Sequence, residues 1–436
     1  MCRLVQRSAE LSHGPQFPKT QPARTLDDSV INSRLEQSYL CFGEPMNLIK
    51  DIVDRRDEIV QWRLDFHLHP ELAHRETDTA RKVAGILKSF RMDEIEEQVG
   101  STGVIGVLRN GAGPVIGLRA DMDALPVSDA GEHDHRSTVE GVSHACGHDG
   151  HIAMLLAAAR YLAFTRNFRG TVVFIFQPAE EIANGALSMI EHGLFERYAI
   201  ESVYALHIVP ALAVGRMTIT PGPLMAAVNN FKINITGQGG HVGLPHLAKN
   251  PVIAGAGIVS ALQMIAPCDI DPIEPVVVSV TSFQSCTNNY NVIPGSVEIK
   301  GTARYMNTEY EDVLPERIGL LANSIASGYG VTAELDYHKG CPPLVNSEKE
   351  AQFAAAIARS LLGETNVVRG APLMGGEDFS LFLKEIPGVL AFIGNGEDSP
   401  LLHNPAFDFN DEVLPIGASY FSRIVEAALG HRDTQK

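Results

Sequence analysis

The chain has 436 residues, 45% of them hydrophobic and 20% charged, with a formal net charge of −17. This balance predicts a globular protein of two or three domains, and the lack of a basic stripe argues against a nucleic-acid surface. No apolar run approaches the roughly 20 residues of a membrane span, and Met1-Cys2-Arg3-Leu4-Val5-Gln6-Arg7 lacks an apolar core of secretory length, so a cytoplasmic protein without a membrane partner is expected.

Residues 1–45 are polar, carry Pro15, Pro18, Pro22 and Pro45, and show no sustained period, which predicts a flexible N-terminal extension with Met46 as a candidate natural start. A helical pattern begins at Met46, and a second helix is predicted over 78–90. Apolar strands are predicted over 103–108, 114–119, 171–176 and 202–206, with helices over 150–164 and 184–193 between them. Continuous apolar strands separated by helices predict an α/β domain, a mainly parallel sheet with helices on both faces.

Near residue 225 the pattern changes. Phe231-Lys232-Ile233-Asn234-Ile235-Thr236 alternates as a strand buried on one side does. A helix follows (about 250–266), then strands near 276–284 and 296–305, a helix near 310–327 and a strand near 331–337. This β-α-β-β-α-β order predicts an inserted α+β ferredoxin-like domain over residues 225–338. Helix 348–362, strand 389–393 and helix 415–430 return to the first style, so residues 46–224 and 339–436 are expected to form one domain around the insertion. The six cysteines fit reduced thiols better than a disulfide framework.

The densest chemistry lies in Ser143-His144-Ala145-Cys146-Gly147-His148-Asp149-Gly150-His151, which opens the helix at 150. Cys146 and His148, two apart beside glycines, are placed to hold a metal. A helix start capped by Asp149, with a small buried Cys and incidental histidines, explains this stretch alone about as well. Polar residues elsewhere tip the balance, because open α/β sheets bind ligands at the carboxyl ends of their strands. Strand 114–119 runs into Asp121-Met122-Asp123, strand 171–176 into Gln177-Pro178-Ala179-Glu180-Glu181, and strand 202–206 into His207. Strand 389–393 leads through a glycine loop to His403.

Cys146, His148, Glu181, His207 and His403 make five N, O and S donors, enough for two divalent ions. Adjacent carboxylates point apart, so one of Glu180 and Glu181 can bind metal while the other faces the attacking water as general base. Asp123 is a candidate to orient a ligand imidazole.

The runs Leu118-Arg119-Ala120-Asp121-Met122-Asp123-Ala124-Leu125-Pro126, His144 to His151, Gln177-Pro178-Ala179-Glu180-Glu181 and Leu402-His403-Asn404-Pro405 resemble the M20 metallopeptidase family, in its aminoacylase, hippurate hydrolase and auxin-conjugate amidohydrolase branch. The resemblance covers about residues 46–430 and implies a zinc-peptidase-like catalytic domain. It further implies two metals on Cys146, His148, Glu181, His207 and His403, Glu180 as the base, and dimerisation through the inserted domain. Gly239-Gly240-His241 resembles the segment whose histidine stabilises the oxyanion in the partner subunit's site. Asn291 and Arg304 resemble the substrate-holding pair, and Arg suits a carboxylate through its planar fork. Ile182-Ala183-Asn184 departs from the branch's usual glycine-rich run, and Val242-Gly243-Leu244 replaces its usual small residues.

The expected protein is thus a homodimeric, dinuclear amidohydrolase cleaving small N-acyl amino acids, with zinc or manganese in the site and cobalt or nickel as alternatives. A dipeptidase or carboxypeptidase of the same family is the first rival. A hydrolase using Cys146 as nucleophile is a second, and leaves the Glu pair and His403 unexplained. A non-catalytic metal-binding protein is a third, and the complete donor set with its base argues against it.

Overall fold

A computed structural model describes residues 40–41 and 44–430, with side chains from Met46 on; the extension expected over residues 1–45 lies outside those described side chains. The first part is built from helices α1 (Arg56–Leu68) and α2 (Thr77–Ser89), strands β1 (Glu94–Val99), β2 (Gly103–Asn110) and β3 (Val115–Asp121), helix α3 (His148–Thr165), and strands β4 (Gly170–Gln177) and β5 (Ser202–Val209). Short strands β6 (Met217–Thr218) and β7 (Gly222–Met225) follow. The middle of the chain forms β8 (Ala227–Thr236), α4 (Pro251–Leu262), β9 (Val276–Ser285), β10 (Ser296–Tyr305), α5 (Tyr310–Gly328) and β11 (Thr332–Lys339). The last part holds β12 (Leu344–Asn346), α6 (Glu348–Leu362), β13 (Val367–Val368), β14 (Gly388–Gly394) and α7 (Leu414–Ala428).

Eight strands form the large sheet in the order β13-β6-β14-β5-β3-β4-β2-β1. Its centre, β14-β5-β3-β4, is parallel. Strand β2 runs antiparallel to β4, contrary to what its apolar run suggested. The reason is chain length: the few residues between β2 and β3 cannot make the crossover that a parallel neighbour needs. Alternation along the strands feeds two cores. Val104, Leu108, Val172, Phe174 and Phe176 face a core shared with α3, α6 and α7, while Ile105, Val107, Val173 and Ile175 face one shared with helices at 185–191 and 379–385. The fold is therefore α/β, a mainly parallel sheet with helices on both faces. Helix α3 is buried almost all round, as its uniformly apolar sequence requires.

The middle elements build a separate antiparallel sheet, β9-β10-β8-β11, with its own apolar core under α4 and α5. This is the expected β-α-β-β-α-β arrangement. The helix expected over 250–266 breaks after Leu262 and resumes at Ile265–Asp269, which brings Pro267 into a first turn where no N–H is needed. Two adjacent strands join this sheet to the large one. β7 pairs with β12, Val228 N–H donates to the Cys341 carbonyl at 3.1 Å, and β8 pairs with β11 from Asn229↔Lys339 onward. Among the described residues no helix is long and apolar enough to cross a membrane.

Candidate metal centre

Helix α3 starts at His148 because Gly147 supplies a left-handed turn (φ 81°), and a Cβ there would meet Ile208 Cγ1 at 2.8 Å. The turn aims Cys146 and His148 at the ends of β4 and β5. His148 Nδ1–H donates to the Asp123 carbonyl at 2.8 Å, so its Nε2 carries the lone pair. His207 Nδ1–H donates to the Ile208 carbonyl at 2.7 Å, so its Nε2 is likewise a lone pair, 3.5 Å from Cys146 Sγ. His207 lies inside β5 rather than just beyond it. Donor atoms of Cys146, His148 and Glu181 lie within 4.8 Å of one another. His403, half-exposed and held by its N–H to the Ala145 carbonyl, brings Nε2 to 3.6 Å from Glu181 Oε2. Cys146, Glu181, His207 and His403 thus line one pocket of about 580 Å³, together with Glu180 and Arg304, and His148 lies buried behind it with its donor within 4.8 Å of those of Cys146 and Glu181.

These donors fit divalent cations. His148 Nε2 and Glu181 Oε1 are buried without a hydrogen-bond partner, which is costly unless something else binds them. Burial, with the carboxylates of Glu181, Glu180 and Asp121, pushes the Cys146 thiol well up, and burial pushes Glu181 up to about 7. Although burial opposes it, Asp121 and the contact with Asp123 raise His148 to about 10, while burial beside His151 lowers His207 to about 3. The pocket concentrates more negative charge than its own side chains balance. The protons it retains occupy lone pairs that metal ions bind. A thiol held protonated is also a poor nucleophile, which weighs against the Cys146 rival.

Asp123 acts differently from the simple expectation. Its carbonyl, not its carboxylate, makes the short bond to His148, while its carboxylate accepts the N–H groups of Glu180 and Glu181, each at 3.0 Å. That fixes the Glu pair. Ala179 and Ala183 on either side adopt left-handed φ of 51° and 53°, which costs roughly 1–2 kcal/mol each in an L-residue. The turn survives because Glu76, buried and missed in the sequence, accepts the Ala179 N–H at 2.8 Å and the Thr102 hydroxyl at 2.6 Å. Ala183 therefore keeps a glycine-like backbone within the Ile182-Ala183-Asn184 stretch.

Asp121 and His151 offer donors near the same ligands, but both are committed. His151 Nε2 accepts the Ile208 N–H at 3.0 Å, so its Nδ1–H donates to Asp121 at 2.6 Å. Asp121 also accepts from Arg119 at 2.7 Å. Arg119 is the centre of a second network that sequence reading missed. It donates to Gln177 at 2.9 Å and to Glu377 at 2.9 Å, and lies 3.5 Å from Asp378. Asp378 in turn accepts the Ala186 N–H at 2.9 Å. Glu377 and Asp378 stand beside Glu180, and burial together with Glu377 and Glu181 raises Glu180 well above the usual carboxylate range. An arginine inside an apolar strand was the available sign of buried acidic partners.

His241 and Asn291 lie elsewhere. They line a separate concavity with Gly239, Gly240 and Pro294, not the pocket of Cys146. His241 is exposed, and its Nδ1 accepts the Gly243 N–H at 3.1 Å, so the proton is on Nε2, where it can be donated. Arg304, from β10, lines the metal pocket and donates to the Met374 carbonyl at 2.6 Å.

Helix α3 also sets a packing limit. A Cβ on Gly150 would stand 2.1 Å from Phe409 Cε2, and Phe409 is buried. Gly150→Ala is expected to destabilise by ~1–3 kcal/mol, the usual cost of overpacking, and a lowered thermal midpoint checks this.

A metal-type donor set beside a buried carboxylate, at the carboxyl edge of a parallel sheet, defines a metal-dependent hydrolase. Residues 117–427 match the profile of "Peptidase family M20/M25/M40". The chain belongs to that family and is a hydrolase acting on amide bonds. It is 38% identical over 381 residues to "Hippurate hydrolase" of Campylobacter jejuni, covering 87% of this chain and 98% of that one. It is 37% identical over 374 residues to "N-acetylcysteine deacetylase" of Bacillus subtilis, covering 85% and 97%. A crystal structure of a Bacillus subtilis protein described as "a Dinuclear Metal Binding Peptidase from M20 Family" superposes with a TM-score of 0.75 at 35% identity, covering 86% of this chain and 99% of that one.

Proposed function

We propose that this protein is a dinuclear amidohydrolase that cleaves N-acyl amino acids into a carboxylic acid and a free amino acid. One observation carries the reading: the Nε2 atoms of His148 and His207, a thiol and an unpartnered carboxylate oxygen converge at the wall of one pocket that also holds a buried second carboxylate and an arginine. Cys146, His148, Glu181, His207 and His403 would hold two divalent ions, zinc or manganese by ligand type, with cobalt or nickel as alternatives. Such ions polarise the amide carbonyl and lower the pKa of the attacking water.

Glu180 takes the proton of that water. Its raised pKa, from burial among Glu377, Glu181 and Asp378, suits a group that must accept a proton and then hand it to the leaving nitrogen. Arg304 pairs with the substrate's free carboxylate, its guanidinium held at the pocket wall by the Met374 carbonyl. His241 Nε2–H is an oxyanion donor for a neighbouring subunit's pocket, with Asn291 beside it, in a homodimer formed through residues 225–338. The described cysteines, Cys146, Cys268, Cys286 and Cys341, are free thiols, which suits a cytoplasmic setting.

The test is a panel of N-acetyl, N-benzoyl and indoleacetyl amino acids, run against dipeptides on metal-loaded protein. Faster turnover of dipeptides than of every acyl amino acid would replace this reading with the dipeptidase one. The dimer has its own test. His241→Ala and Glu180→Gln should each be nearly inactive, and subunit exchange between them should restore about a quarter of wild-type activity, from one competent site in the mixed dimers. No recovery after confirmed exchange places His241 outside the partner's reaction.

A further inference from the structure

A second group of metal-type donors lies apart from the pocket. One ring nitrogen each from His67, His133 and His135, and one carboxylate oxygen of Asp408, stand within 4.8 Å of one another. They come from three separate stretches: the end of α1, the loop after Asp129, and the loop after His403. His133 and His135 stack with ring centroids 4.0 Å apart and planes at 16°, an arrangement two imidazolium ions would resist. Both ring nitrogens of His133 are buried and have no hydrogen-bond partner. His67 Nδ1 is 2.8 Å from the fully buried Asp149 carboxylate, the kind of partner that orients a ligating histidine, and its Nε2, which lies 3.3 Å from Asp129 Oδ2, is the nitrogen left to exchange that contact for a metal.

Charge points the same way. Arg63 pairs with Asp149, Asp408 and Asp411, and Asp129 lies against His67 and His133. Three carboxylates thus face one guanidinium and a fourth, Asp129, faces the histidines, an excess of three negative charges while the imidazoles are neutral. A divalent cation offsets most of that excess. Protonation of His67 between Asp149 and Asp129 offsets less, and leaves the His133 nitrogens unpartnered.

We propose that His67, His133, His135 and Asp408 form a structural site for a divalent transition ion of the zinc type, separate from the catalytic pair. Three imidazoles and one carboxylate complete a tetrahedral shell with no open position, as structural rather than catalytic zinc sites do. The edges of such a shell are roughly 3.3 Å, from Zn–N distances of about 2.0 Å; His135 Nε2 and Asp408 are already 3.0 Å apart, and the other donor pairs, all within 4.8 Å, close in on binding. His135 and Asp408, partly exposed, have room to do so. The ion would tie α1 and the loop after Asp129 to the loop after His403, which carries a catalytic-site donor.

The experiment is metal counting and localisation on the full chain with zinc alone. Wild-type protein, the His133→Ala/His135→Ala variant and a Cys146→Ser/Glu181→Ala variant are dialysed against the same zinc solution, and bound zinc is measured per chain. The proposal expects the histidine variant to bind one ion fewer than wild type, and the pocket variant to keep that ion whatever it loses elsewhere. An anomalous difference map of zinc-loaded wild-type crystals should show a peak among the four side chains, a readout that does not depend on any variant folding. Equal zinc in wild type and the histidine variant, or a map with no peak there, overturns the proposal and leaves a proton-linked histidine cluster. Neither outcome bears on whether the pocket hydrolyses N-acyl amino acids.

Discussion

Glu180→Gln is expected to lower kcat by ~10²–10⁴-fold while leaving metal content unchanged. The amide keeps the shape of the side chain, and the backbone that positions it is held by the Asp123 carboxylate through the N–H groups of residues 180 and 181, which the substitution does not touch. What disappears is the proton acceptor. Glutamine also removes one member of a crowded acidic group, Glu180 with Glu377 and Asp378, so folding stability should hold or rise slightly. Turnover of an N-acyl amino acid and metal analysis on the same sample check both halves. Loss of metal with loss of activity would mean that Glu180, not Glu181, is the ligand.

Arg119→Ala carries the largest expected cost in stability. Arg119 is fully buried and is the cation facing Asp121, Glu377 and Asp378. Burial and the adjacent Glu377 already push Asp378 up to about 8 even with Arg119 nearby, and removing the guanidinium strands the whole group. Breaking a buried ion pair from one side costs about 3–5 kcal/mol. A fall of that size in unfolding free energy, read from denaturant midpoints, is the expected result. Arg119→Lys should recover part of it, since it restores the charge but cannot fork onto Gln177, Asp121 and Glu377 together. A loss below ~1 kcal/mol for Arg119→Ala would show that the acids simply take up protons there.

The candidate metal donors were legible because they are rare residue types concentrated where strands end. Cys146 and His148 flank a glycine, the Glu pair follows an apolar strand, and chemistry of that kind leaves a local mark. The alternation of Phe231 to Thr236 gave away the second sheet for the same reason, since burial on one side is written every second residue. Contacts that close across long stretches of chain were not legible. Arg119 meets Glu377 across 258 positions, and nothing near either residue names the other. His133 and His135 carry no local mark in the sequence, and only the fold brings His67 of α1 against them. The role of Asp123 depended on which of its oxygens faces His148, a matter of backbone course rather than residue type. Helix Phe379–Glu385 is two turns long, too short for its apolar spacing to stand out from its neighbours.

The two segments that connect the large sheet to the small one run side by side. Residues 222–236 and 332–346 pair along most of their length, through Gly222↔Asn346, Met225↔Leu344, Asn229↔Lys339 and Thr236↔Thr332. A paired ribbon bends across its face far more readily than it swivels or shears, because swivelling breaks the ladder. Mechanically this is a door on a leaf spring rather than a ball on a string. A lobe bearing Arg304, His241 and Asn291 on such a ribbon is expected to hinge along one arc relative to its own large sheet, rather than to rotate freely about a single strand.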